Sequence, residues 1–123
     1  MRALLLFLFL SMTSACYSAV DHWETAVYET DSWRYLVPSS AVNSTWTTVG
    51  FNDASWTNGN GGFGYGDGDD NTTLANTLSC YQRISFNIVN VNDLDLAIFN
   101  LDYDDAFVAY INGVEIARDN ITS

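Results

Sequence analysis

The chain has 123 residues, 48% of them hydrophobic, with 4 Lys+Arg against 15 Asp+Glu and a formal net charge of −11. That length fits one domain, and the apolar content excludes wholesale disorder. There is no lysine, and the cations are only Arg2, Arg34, Arg83 and Arg118; this argues against nucleic acid, whose phosphates bind clustered cations, and against an anionic membrane surface.

Residues 1–19 read as a secretory signal peptide. Met1-Arg2 is the charged start, residues 3–10 are apolar, and residues 11–19 are small and polar. The apolar run is too short to span a bilayer as a helix. Cleavage is expected near Ser18 or Ala19; it removes Arg2 and leaves the rest one unit more acidic. Thr13-Ser14-Ala15-Cys16 loosely resembles a bacterial lipobox. Lipid anchoring at the cell envelope through Cys16 is therefore the alternative to free secretion. Either fate of Cys16 leaves Cys80 alone, read as a free, buried thiol opening an apolar strand; pairing with a cysteine beyond residue 123 is the other option.

Residues 20–32 form a polar lead-in, with an early strand at 25–28. The domain proper is placed at 33–123. Trp33-Arg34-Tyr35-Leu36-Val37 is a strand ended by Pro38. Residues 46–49 are a second candidate strand, and residues 51–56 a turn with Phe51 and Trp56 as anchors. Residues 58–71 hold six of the eight glycines. They are expected to be neither helix nor regular strand but a long loop pinned by Phe63 and Tyr65.

Three strong strand signals follow. Residues 80–88 alternate, with Ile84, Phe86 and Ile88 on one face. Residues 94–103 are apolar on both faces, which suits a central strand covered from both sides. Residues 107–111 and 114–117 flank Asn112-Gly113, the pair that a tight hairpin turn demands because both positions need positive φ. No segment has sustained helical periodicity. The fold class is all-β, a sandwich with Trp33, Trp46, Phe86, Phe99 and Phe107 in its core. The last residues follow a hairpin with no closing strand, so the sequence reads as the front of a longer product with C-terminal strands missing.

The order of landmarks carries a resemblance. Trp33-x-Tyr35-Leu36 and Trp46 lead into Phe51-x-Asp53-x-Ser55-Trp56 and Gly64-Tyr65-Gly66-Asp67. Tyr81-x-Arg83-x-x-Phe86 follows, then Asp104-Asp105-x-x-Val108-x-Tyr110-x-Asn112-Gly113-x-Glu115-x-x-Arg118. Over roughly residues 31–121 this resembles the galactose-binding-domain-like jelly roll, an accessory domain of large secreted bacterial proteins, many from Bacteroidetes. The resemblance implies a jelly-roll β-sandwich and often glycan binding. It also implies downstream neighbours such as kinase-like, phosphoesterase or glycosidase domains, and family members continue through further strands.

The glycine-rich loop is the candidate site. It lacks the strand–helix context of a dinucleotide fingerprint and the Lys-Ser/Thr of a P-loop, and one near-match to a calcium-binding β-helix repeat stands alone. Asp67, Asp69 and Asp70 crowd it. Like charges this close call for water, an arginine or a cation, and Ca²⁺ takes carboxylate and carbonyl oxygens from such loops. Trp56 and Tyr65 flank the loop and are the candidates to stack on a sugar ring, against the alternative of aromatic core. Asp104 and Asp105 are read as a structural pair for Arg118 or Arg83. His22 is the single histidine and lies in the lead-in, so no nucleophile–histidine pair is in view. Asn43, Asn71 and Asn120 open glycosylation sequons that a bacterial product would carry by chance.

The expectation is a secreted, non-catalytic module that binds polysaccharide or glycan, with Ca²⁺ as a structural ion. The alternative is a spacer or docking domain ahead of an enzyme or kinase-like domain, with no ligand of its own. No nucleic-acid partner is expected.

Overall fold

A computed structural model describes residues 22–122. The expected signal peptide, residues 1–19, and the expected lipidation residue Cys16 fall outside those residues. The described chain is all-β. It holds seven short strands, and its only helical turns are two 3₁₀ pieces of four and three residues. Among the described residues no helix is long and apolar enough to cross a membrane.

The organising sheet has three antiparallel strands. The central strand β1 (Ser32–Leu36) lies between β2 (Thr57–Asn60) and β5 (Tyr81–Arg83). Trp33 stands opposite Gly59, and Leu36 opposite Tyr81. The strand stops before Pro38, whose missing N–H cannot extend a ladder. Its entrance is a turn in which Asp31 N–H donates to Tyr28 O and the Asp31 carboxylate accepts from Tyr28 N–H. That turn takes the place of the strand expected at 25–28.

Two minor units complete the molecule. β3 (Phe63–Gly64) and β4 (Thr72–Thr73) pair in parallel. β6 (Phe107–Ile111) and β7 (Val114–Asp119) form the hairpin predicted around Asn112-Gly113, with φ of 51° and 83° at the turn. β7 carries one extra residue: Ala109 faces Ala117 while Tyr110 faces Glu115, so Ile116 is a bulge.

Three further expected strands are corrected. Residues 46–49 do not extend; Ser44–Thr47 is a 3₁₀ turn, because the Asn43 side chain accepts from Thr45 N–H at 2.9 Å and Thr48 N–H closes onto Thr45 O. The segment 80–88 pairs only over Tyr81–Arg83. Residues 94–103 form no strand and are exposed throughout, with Leu96 63% and Ile98 67% accessible. Conversely, β2 runs into the glycine-rich stretch 58–71 and β3 lies inside it, where no regular strand was expected. Gly59 fits β2 because Thr72 and the Phe63 ring occupy the space a Cβ would take.

The core is small. Trp56 and Leu74 are the buried hydrophobics among the described residues. Trp56 stacks on Trp46 with centroids 6.3 Å apart, and Phe51 meets its edge at 5.7 Å. Trp46 also makes edge contacts with Tyr81 of β5 and Tyr110 of β6, at 5.0 and 5.6 Å. One indole therefore joins the sheet to the hairpin. Of the other expected core rings, Trp33 and Phe107 are half-buried, whereas Phe86 and Phe99 are exposed.

Arg83 fastens this cluster. Its Nε donates to Asp53 Oδ2 at 2.9 Å, its Nη1 to Trp46 O and its Nη2 to Thr48 O, and the guanidinium lies 5.1 Å from the Phe51 ring centroid. Arg34 stands directly opposite Arg83 in the ladder. Like charges in that relation repel, and the conflict is resolved by separate partners, since Arg34 donates to Trp56 O at 3.2 Å.

Candidate functional site

The glycine–aspartate loop, residues 65–71, leaves β3 and returns through β4. Its ends are tied: Thr72 N–H donates to Gly62 O at 2.9 Å and Leu74 N–H to Gly64 O at 2.7 Å. Side chains add a second lashing, Asn71 Nδ2 to Gly61 O and Thr72 Oγ1 to Asn60 O. A loop with clamped ends spends less entropy on holding its tip in one shape. The Asp70 carboxylate lies against Gly64, where any Cβ would collide with it.

Asp67, Asp69 and Asp70 come together as expected. One carboxylate oxygen from each lies within 4.8 Å of the others. Asp67 and Asp69 are exposed and Asp70 half-buried. A hydrogen bond from the Asp69 side chain, helped by backbone N–H groups, holds Asp67 below the usual carboxylate range. Asp70 is pushed above it, first by burial and then by repulsion from Asp67 and Asp69. The set could share one cation or hold protons between carboxyls; exposed acidic groups also cluster with neither.

The two aromatic candidates separate. Tyr65, at the root of the loop, is 49% exposed and presents a ring to solvent. Trp56 is 6% exposed, with its ring covered by Trp46 and Phe51, and is core rather than a sugar platform. The reason is position: Trp56 enters β2 directly from the turn closed by Trp56 N–H on Asp53 O, with its ring against Phe51 and Trp46.

The expected pairing of Asp104 and Asp105 with Arg118 is also corrected. Arg118 donates through Nε and Nη2 to the Glu115 carboxylate. Residues three apart on a regular strand face opposite ways, but the Ile116 bulge restores them to one side. This fork holds Glu115 below the usual range and raises Arg118. Asp104 instead accepts from Asp105 N–H at 2.9 Å, and Asn120 Nδ2 donates to Asp105 O, fixing Asp105 at a φ of 64°. Arg83, the other expected partner, is held by Asp53. Asp53 and Glu115 were visible only as landmark residues, because neither a clamp across 30 positions nor a bulge has a local signature.

Cys80 is a free, half-buried thiol just before β5, and burial pushes its pKa up. The exposed His22 ring lies 3.1 Å from Glu24 in the lead-in, away from the loop in sequence. No protein-family model, curated protein or solved structure matches the chain.

Proposed function

We propose that the chain is a secreted, non-catalytic accessory module of the galactose-binding-like jelly-roll type, which binds carbohydrate at the 65–71 loop. The observation that carries this reading is Tyr65: a half-exposed ring at the root of a loop tied at both ends. Flat rings held rigidly stack on the apolar faces of sugars, and polar groups beside them orient the hydroxyls. Asp67 and Asp69 supply those acceptors, and Ca²⁺ held by Asp67, Asp69 and Asp70 would stiffen the loop. Trp56 has no part in the contact in this reading. Secretion rests on the charge–apolar–small order of residues 1–19. The jelly-roll assignment rests on the landmark residues and on the all-β class.

Affinity electrophoresis tests the reading. Migration of the folded chain should be retarded in gels cast with a recognised polysaccharide, and Tyr65→Ala should migrate freely with an unchanged circular dichroism spectrum. Equal retardation of both proteins would remove Tyr65 from the site.

The second reading is a docking or spacer module with no ligand of its own. Its support is the apolar surface left uncovered along residues 94–103.

A further inference from the structure

The lead-in takes no part in the sugar reading, yet it holds the single histidine of the chain. Its place in the sequence gives it a use. The residues around the expected signal cut are Ser18-Ala19-Val20-Asp21-His22-Trp23-Glu24. A cut after Ala19 frees the amine of Val20 and makes His22 the third residue of the mature chain. A cut after Ser18 makes it the fourth. The inference rests on the secretion reading, and within it on the cut after Ala19.

Third place matters for coordination. A free α-amine, the main-chain nitrogens of the second and third residues, and Nδ1 of a histidine in third place follow one another along the chain. Neighbouring nitrogens in that series are joined through only two or three carbon atoms, so all four reach the corners of a square around one metal ion. The chelate closes on local covalent geometry and asks nothing of the fold. Each of the two main-chain nitrogens must give up a proton, which proline does not carry; Asp21 and His22 both have the N–H. A histidine in fourth place stands one peptide too far to close the square.

The structure supplies the outer contact. Residues 22–26 are exposed and belong to no strand or helix, so a metal ion reaches the imidazole without opening a sheet. The side chains of His22 and Glu24 are 61% and 83% accessible, and Glu24 Oε1 lies 3.1 Å from His22 Nε2. Nε2 is the nitrogen that the chelate leaves over. With Nδ1 on the metal, Nε2 carries the proton and donates it to the Glu24 carboxylate. That arrangement fixes the tautomer and raises the basicity of a ligating imidazole.

We propose that processing after Ala19 creates a Cu(II) site on Val20, Asp21 and His22. A square of four nitrogens selects Cu(II), with Ni(II) second, whereas structural Zn²⁺ sites are tetrahedral and Ca²⁺ takes oxygen. The site is thus chemically separate from the Asp67, Asp69 and Asp70 carboxylates. On binding, the two main-chain amide protons pass to solvent, and the two amide anions balance the charge of the ion.

The test uses the full gene product exported from a secreting host, with its N-terminus read by mass spectrometry before metal is added. The expected N-terminus is Val20. Cu(II) titration should then give one tightly bound equivalent and the violet absorption of a square-planar four-nitrogen complex. His22→Ala lies at an exposed position outside every strand and should keep the circular dichroism spectrum. It should weaken Cu(II) binding by more than the roughly 10–100-fold that loss of an outer partner costs. Acetylation is an independent block: the chain has no lysine, so the α-amine is its only amine, and acetylating it should abolish the violet band. Tyr65→Ala should leave Cu(II) binding intact, so this site and the sugar site fail independently. Retention of residues 1–19 would overturn the secretion reading and the inference with it. A processed chain that begins at any other residue, Cys16 included, would overturn the inference and leave export standing. A Val20 terminus that binds no Cu(II), or binds it equally after His22→Ala or acetylation, would overturn the inference with the cut confirmed.

Discussion

At the residue scale, two tryptophans and one arginine carry the packing. Trp56→Ala removes a buried ring from against Trp46 and Phe51 and should cost about 3–5 kcal/mol, enough to abolish a cooperative denaturation transition in a domain with so small a core. Tyr65→Ala should shift the same transition by less than about 0.5 kcal/mol. Arg83→Ala leaves Asp53 and two backbone carbonyls without their donor and should cost about 2 kcal/mol by urea denaturation. Arg83→Lys should not restore it, because an ammonium cannot hold Asp53, Trp46 O and Thr48 O in one plane while facing the Phe51 ring.

The aspartates act through pH. Asp70 holds its proton to higher pH in the folded chain than in the unfolded one. Folding is therefore penalised as pH rises from the ordinary carboxylate range through that raised value, and the penalty is complete above it. Asp67 has the opposite sign: its stabilisation is present above the ordinary value and is lost as pH falls through its lowered one. Asp70→Asn should raise the melting temperature at neutral pH in the absence of Ca²⁺. Added Ca²⁺ should raise the melting temperature of the wild type at neutral pH and raise it less near pH ~3, where Asp70 holds its proton. A wild-type melt indifferent to Ca²⁺ at neutral pH would take the ion out of the loop.

At the element scale, the hairpin is the most self-sufficient unit, because its turn chemistry is local. Gly113 sits at a φ of 83°, so Gly113→Ala should cost about 1 kcal/mol and speed amide exchange in β6 and β7. The same locality explains which elements could be read from the residues. Asn112-Gly113 and Pro38 mark their elements by backbone constraint, and both mark them correctly. Trp46-Thr47-Thr48-Val49 has the β-branched composition of a strand, yet Asn43 wins by capping a 3₁₀ turn three residues earlier. Gly59 and Gly64 carry no strand propensity, and their pairing depends on Thr72, Phe63 and Asp70 filling the space beside them. Residues 94–103 have the pattern of a covered strand, but pattern alone does not supply the cover. In the site, clustering of the three aspartates followed from short spacing, whereas the burial of Trp56 depended on its exit from the Asp53 turn.

At the scale of the whole molecule, a small aromatic core holds one sheet and one hairpin together, and two surfaces remain for partners. The Tyr65–aspartate loop, tied at both ends, is the proposed sugar surface. The 84–106 segment exposes apolar and acidic side chains. Hydrogen exchange should divide the chain accordingly, with slow amides in β1 and fast ones throughout residues 94–103. Carbohydrate recognition is tested most directly by glycan-array retention of the folded chain and of Tyr65→Ala, each with Ca²⁺ and with chelator. The expected result is retention of the wild type on a defined set of glycans, weakened by chelator and lost in Tyr65→Ala. A folded wild type retained by no glycan in either condition would contradict it and leave the chain as a docking module.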